Sequence, residues 1–272
     1  MPILTSTPTV GPAEPLTAAA DPDSARIALR LQWPAVASAT VSRVDPDGTV
    51  SPVRGGEPAA VVGGSWSGFD YEAPFDVPVT YRAVTGLVTQ TSTAVTLPSF
   101  ERAWLKHPGL PVLNMPVHVA RLPVLQRAAN SATLAVLGRL NPVVVSQRRA
   151  GYTGAVDVWT DSDDAKAGLW GLLNDGTPLL FAPPGGTGVT NMWLHVGDVA
   201  ETRVTDVAAE HVRLWQLPFT VVDRPVDVVV TTVYDWAAVV DEFTSWSDLV
   251  SQVGSWSELV AGGAADPAVP AP

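Results

Sequence analysis

Apolar and polar positions begin to alternate at Ile27. Ile27, Leu29, Leu31 and Trp33 are separated by Ala28, Arg30 and Gln32, a period of two that predicts a strand with one buried face. Further strands are expected over 40–44 and 49–53. The turn between them is Asp45-Pro46-Asp47-Gly48, where proline fixes φ and glycine accepts a positive one. Short strands are expected near 59–62 and 67–71. Val77, Val79, Tyr81 and Ala83 alternate again, and Thr89–Leu97 completes the set. The preceding residues, 1–24, carry Pro2, Pro8, Pro12, Pro15 and Pro22, which deny a helix and predict an extended arm. That arm is either a frayed terminus or a strap on a neighbouring subunit.

Seven short strands in about 75 residues predict a β-sandwich of the immunoglobulin type over 25–98. Trp33 and Tyr81 resemble the core pair of fibronectin type III domains. Residues 99–116 read as a linker, with Pro108, Pro111 and Pro116 set among Trp104, Lys106 and His107. Pro108-Gly-Leu-Pro111 also has the form of a PxxP ligand, a match of low information.

A second domain is expected over 117–230. Segments 117–125, 133–137 and 142–146 read as strands, although 128–139 also suits a helix. Over 153–160, Val156 and Val158 face one side, and Ala155, Asp157 and Trp159 the other. The period then changes. Asp161-Ser-Asp-Asp164 supplies a cap and an acidic first turn, and Ala165, Leu169, Leu172 and Leu173 recur at helical spacing. This predicts a helix near 162–174, stopped by Asn174-Asp175-Gly176-Thr177-Pro178. Strands follow over 179–182, 192–196, 201–206 and 210–219.

Trp236, Trp246 and Trp256 stand ten residues apart. One smooth helix would rotate each from the last by about 80°. Ser245 with Asp248, and Ser255 with Glu258, have capping-box spacing, so 231–261 is expected to form up to three short helices. Trp246 with Leu249, and Trp256 with Leu259, share a helical face. Trp236, Trp246, Leu249, Trp256 and Leu259 are therefore the candidate interaction residues. Their partner is the second domain, a sister subunit or another protein. Residues 262–272, rich in Gly, Ala and Pro, are expected to be a flexible tail.

The composition narrows function. The chain has 272 residues, 25 Pro and 22 Gly, a bias toward turns and short strands. Its net charge is −11, and no basic stripe is visible in the sequence, so nucleic acid is not an expected partner. Cysteine is absent, which excludes disulfides and thiolate chemistry. No apolar run approaches the 18 or so residues of a membrane span, and the N-terminus does not read as a signal peptide.

His107, His118, His195 and His211 fall in no metal-binding spacing. Asp161–Asp164 opens like a calcium loop, but Lys166 stands where that loop needs glycine and Leu172 where it needs glutamate. Gly185-Gly-Thr-Gly188 has no following lysine, and Trp66 occupies the nucleophile position of Gly64-Ser-Trp-Ser-Gly68. No catalytic residue, cofactor or metal is expected. Ten Trp remain as the compositional outlier. Trp33, Trp159 and Trp215 are expected in the core, with the C-terminal three open to core or interface roles.

Several segments resemble minor tail proteins of long-tailed, non-contractile phages of GC-rich Gram-positive bacteria. In the first domain these are Val-Ser-Arg-Val-Asp-Pro-Asp-Gly (41–48), Pro-Val-Arg-Gly (52–55), Asp-Tyr-Glu-Ala-Pro (70–74) and Val-Thr-Tyr-Arg-Ala (79–83). In the second they are Gly-Arg-Leu-Asn-Pro-Val-Val-Val (138–145), Leu-Trp-Gly-Leu-Leu-Asn-Asp-Gly-Thr-Pro-Leu-Leu (169–180) and Leu-Pro-Phe-Thr-Val-Val-Asp-Arg-Pro (217–225). The helix between strands is similar to the ring-forming domains of tail-tube and distal-tail proteins. The resemblance implies a non-enzymatic virion protein made in the host cytoplasm. It further implies a ring at the tail tip, a homohexamer or alternatively a trimer, joined to other tail-tip and tail-tube proteins. Typical distal-tail proteins place the ring domain first, whereas here the sandwich precedes it. The rival class is a carbohydrate-binding module gripping cell-wall glycan, for which Trp66, Phe69 and Tyr71 would have to form a coplanar exposed patch. A wall hydrolase stands third and would need an acid–base pair.

Overall fold

The computed structural model describes residues 15–34, 36–86, 88–205, 211–226 and 245–247. The fold is mainly β and divides into two compact units, Met1–Ser99 and Phe100–Pro272.

The first unit contains β1 (Leu16–Asp21), β2 (Arg26–Gln32), β3 (Ser38–Val44), β4 (Val50–Pro52) and β5 (Ala59–Ala60). It continues with β6 (Ser65–Asp70), β7 (Pro78–Thr85), β8 (Val88–Thr91) and β9 (Val95–Thr96). Two antiparallel sheets form, one in the order β1-β2-β6 and the other in the order β4-β3-β7-β8, with β5 on β3 and β9 on β7. The alternation read from the sequence selects the inner faces. Ile27, Leu29 and Leu31 are buried from one sheet, and Val41, Val79, Tyr81 and Ala83 from the other. The predicted turn forms as expected: the Gly48 N–H donates to the Asp45 carbonyl (2.9 Å) and Gly48 has φ +85°.

β1 corrects the arm expected over 1–24 in its last part, while its residues 1–14 lie outside the described residues. Leu16–Asp21 pairs with β2 along six residues, and Leu16 is fully buried. Pro15 and Pro22 flank this strand without interrupting its ladder, which is where a sheet tolerates proline. Trp33 is half-buried and takes no part in the core expected of it.

The second unit begins with β10 (Ala103–Lys106), a 3₁₀ turn (Pro111–Leu113) and β11 (Met115–Arg121), followed by β12 (Gln126–Arg127), β13 (Ser131–Leu134) and β14 (Val143–Ser146). β15 (Tyr152–Thr160) leads into α1 (Asp163–Leu173), then β16 (Leu179–Ala182), β17 (Met192–Val196), β18 (Ala200–Arg203) and β19 (Arg213–Val222). Strands pair in the order β15-β11-β10-β16-β17-β19, and β19 pairs back to β15 over eight residues. That closes a six-stranded antiparallel barrel.

Inward side chains fill the barrel, among them Val156 and Val158 from β15, Leu179 and Phe181 from β16, and Trp215, Leu217 and Phe219 from β19. Leu169 and Leu172 of α1 join this core, so the helix docks on the barrel by the face its spacing predicted. Burying each leucine stabilises the unit by about 1.5–3 kcal/mol. The helix starts at Ser162, whose Oγ accepts from the Ala165 N–H (3.2 Å), and Gly176 at φ +70° ends it.

Three expectations are overturned here. The linker over 99–116 contains β10, every residue of which is buried. A four-residue strand covered on both faces shows no alternation, and the prolines around it masked the strand signal. Residues 128–139 contain β13 and no helix. Trp159 is expected in the core but stands 36% exposed, because Val158 and Thr160 occupy the inward positions beside it. Trp215 does lie in the core, and its indole N–H donates to Thr160 Oγ1 (2.8 Å).

Candidate interaction surface

β13 and β14 form a ribbon that, among the described residues, pairs with no other strand. Its ladder runs from Ser131↔Ser146 to Leu134↔Val143. The base is tied by the Gln147 N–H to the Asn130 carbonyl (2.8 Å) and Arg127 Nε to the Ala150 carbonyl (3.0 Å). Below that tie, β12 joins the ribbon to β15 through Gln126↔Thr153 and Arg127↔Tyr152. Gly138, at φ +84°, turns the tip.

The ribbon's apolar side chains are in water. Leu134, Val136, Val144 and Val145 are exposed, and Leu137 and Leu140 at the tip are 104% and 98% exposed. A lone two-stranded ribbon is marginally stable in water, and an apolar patch of this kind marks a contact surface. Leu134, Val144 and Val145 fall in segments that read as strands in the sequence, a pattern that does not say what covers their faces. The charge is also unusual. Residues 121–150 hold Arg121, Arg127, Arg139, Arg148 and Arg149, and none of the chain's 27 carboxylates. The overall charge of −11 hides this basic stretch, which the reading of net charge passed over.

A hollow of about 610 Å³ opens on the outer face of β15 and β19. Ala155 and Pro218 form its floor, Val124 one wall, and His195, Gly197 and Asp198, around the end of β17, another. Asp157 and Gln216 sit opposite each other across the two strands. Gly154 also borders it, and its missing side chain belongs to the inward face of β15: a Cβ there would lie 2.8 Å from the Val124 carbonyl oxygen and 2.9 Å from Phe219 Cζ. These residues come from four separate stretches of sequence, brought together by closure of the barrel.

The remaining polar clusters are structural in geometry. In the first unit Arg43 donates to Asp45 (2.8 Å) and to Asp70 Oδ2 (2.9 Å), and Tyr81 Oη also donates to Asp70 Oδ2 (2.9 Å). This network joins the two sheets. Burial opposes the Arg43 charge, but Asp70 and Asp45 outweigh it and hold the guanidinium charged beyond its ordinary range. Burial pushes the Tyr81 phenol far up, and Asp70 adds to the effect. Arg54 and Glu72 form a further ion pair. The segments 41–48, 52–55, 70–74 and 79–83 supply Arg43, Arg54, Asp70, Glu72 and Tyr81.

In the second unit the buried His107 ring accepts the Gly109 and Leu110 N–H groups at Nδ1 (3.0 and 2.9 Å). Its proton therefore sits on Nε2, 2.8 Å from Asp175 Oδ2. Burial works to raise the Asp175 carboxyl, but hydrogen bonds from Thr177 and His107 outweigh it and leave the group below its ordinary range. Lys166 Nζ on α1 reaches Glu201 Oε1 of β18 (2.7 Å), which also faces Arg213 Nε (3.3 Å). His118 and His195 are exposed, and His211 Nδ1 lies 3.2 Å from Asp163.

Of the candidate interaction residues, Trp236, Leu249, Trp256 and Leu259 lie outside the described residues. Trp246 is 60% exposed. Trp66, Phe69 and Tyr71 do not form one plane. Trp66 shares the face of β6 with Asp70 and its ring lies across Gly68, whereas Phe69 points to the opposite face, tilted 51° from Tyr71. Arg26 covers Phe69 at 3.9 Å. No known family model matches the chain, and no match is found among curated proteins.

Proposed function

We propose that the protein is a structural subunit of the tail tip of a long-tailed, non-contractile phage, and that its second unit assembles into a ring joining the tail tube to the tip. The observation that carries the assembly reading is the projecting ribbon: three exposed aliphatic side chains on its two strands and three more on the loop that joins them, with no third strand paired to it among the described residues. Such an element gains stability by docking on another chain. The phage context rests on the sequence resemblance, one part of which, 138–145, falls on this ribbon.

The finer fold assignments belong to the same proposal. The order β1-β2-β6 against β4-β3-β7-β8 supports a sandwich of the fibronectin type III kind for the first unit. A closed barrel with one docked helix supports a tail-tube or distal-tail kind of domain for the second. On this reading the protein works by shape and contact, without turnover.

Sedimentation velocity and electron microscopy of the purified protein test the proposal. A closed ring of six or three copies is expected. Monomer at every concentration, together with no ring of this chain in a map of an assembled tail, would refute it. So would a peptidoglycan or polysaccharide hydrolase activity abolished by one carboxylate substitution.

A further inference from the structure

We infer that the tip of the ribbon, Leu137–Leu140, seats in the hollow on the outer face of β15 and β19 of a second copy, with Arg139 directed at Asp198. This rests on the ring reading and names the contact that would build it.

Three observations converge. The first is chemical match. The tip offers two fully exposed leucines with one arginine between them, and the hollow offers an apolar floor of Ala155 and Pro218 beside the exposed carboxylate of Asp198. Arg121 and Asp157, the other charges in the hollow, stand opposite each other in the register of β11 and β15, so the lining holds two carboxylates against one arginine. His195 lines the same hollow.

The second observation is reach. The ladder from Ser131 to Leu134 carries the chain about 10 Å from the ribbon's base, and the loop beyond it takes the tip to at most roughly 20 Å. The base itself is anchored on β15 beside the hollow. A tip carried that far away meets the hollow of another copy and not its own.

The third is charge. Residues 121–150 are purely basic, so ribbon against ribbon would set like charges together. The rest of the chain holds all 27 carboxylates, so another copy of this chain offers the complementary surface. A contact of tip to hollow is head-to-tail, the type that closes rings when the rotation allows it.

The absence of cysteine permits a clean test on the full chain. Leu140→Cys and Gly197→Cys are made as separate proteins. At Gly197 an added Cβ meets only Pro218, at 3.7 Å or more, so the second variant keeps its fold. Under mild oxidation the mixture is expected to give a heterodisulfide several-fold more than either variant gives alone. In parallel, Arg139→Glu is expected to raise the concentration needed for assembly about tenfold, and mixing it with Asp198→Arg to restore assembly. Circular dichroism confirms that each variant is folded.

Rings that form unchanged with Arg139→Glu and give no heterodisulfide would overturn the contact and leave the ring reading standing. Monomers throughout would overturn both. Cross-linking of Leu140→Cys chiefly to itself would replace tip-to-hollow with tip-to-tip. Binding of wild type, lost in Arg139→Glu, to vesicles with 30% anionic lipid or to a duplex oligonucleotide, with no heterodisulfide, would assign the tip to that surface instead.

Discussion

Asp70 shows how much one side chain can hold in place. It accepts from Arg43 and Tyr81 at one oxygen, and its other oxygen takes the Glu72 N–H (2.8 Å). Asp70→Ala leaves the buried Arg43 charge with Asp45 as its remaining carboxylate of this network, and is expected to cost about 3–5 kcal/mol. Tyr81→Phe removes one hydrogen bond and should cost about 1 kcal/mol. The urea midpoint of the first unit's transition measures both; equal losses would show that the network does not act through its charge. Glycine positions in the second unit give the opposite kind of contrast. Gly154→Ala drives a methyl against the Val124 carbonyl and should destabilise by about 1–3 kcal/mol. Gly171→Ala, on the exposed side of α1 and 3.9 Å from Leu113 Cδ2, should stabilise by about 0.5–1 kcal/mol. Thermal melts of the two variants should move in opposite directions.

At the scale of elements, the loop after β10 and the end of α1 are joined through His107 and Asp175. The Asp175 pKa is depressed in the folded state, so its contribution is present above the ordinary carboxylate value and is lost as pH falls through the depressed one. Wild type should therefore lose stability below about pH 4 more steeply than Asp175→Asn, compared by urea titration at a series of pH values. Identical pH slopes would exclude the pair as a source of acid sensitivity. Elements whose two faces differ were legible in the sequence. Val156 and Val158 alternate with Ala155, Asp157 and Trp159, and Leu169 and Leu172 fall on one helical face, so β15 and α1 were readable before any coordinates. β10 was not, because Ala103–Lys106 is covered on both sides and nothing in its sequence alternates. β1 was hidden by flanking prolines that the sheet accommodates at its ends. The ribbon's strands were expected at 133–137 and 142–146, but their exposure was not, since Val143–Val145 carries the same signal as a core strand. The hollow left no signal at all: its residues come from four separate stretches that only the closure of the barrel brings together.

Across the whole chain the basic stretch 121–150 stands against a remainder that holds all 27 carboxylates. If assembly joins the two, it should weaken as salt rises from 50 to 500 mM, because the Debye length shortens from roughly 14 Å to about 4 Å. Sedimentation at fixed protein concentration reads this directly; association that strengthens with salt would point to purely apolar docking. Barrel closure has a mechanical consequence as well. A pull on the ribbon tip enters the body through the two-residue junction with β15. β15 is bonded to β19 along eight residues, so the force is shared around a hoop of six strands with no open seam. The ribbon, held by its own four-pair ladder, is the compliant element in that path. Under tension or torque the barrel would turn as a stiff bead while the ribbon bends, which makes its length and its base the parameters that set the elasticity of any array built from this chain.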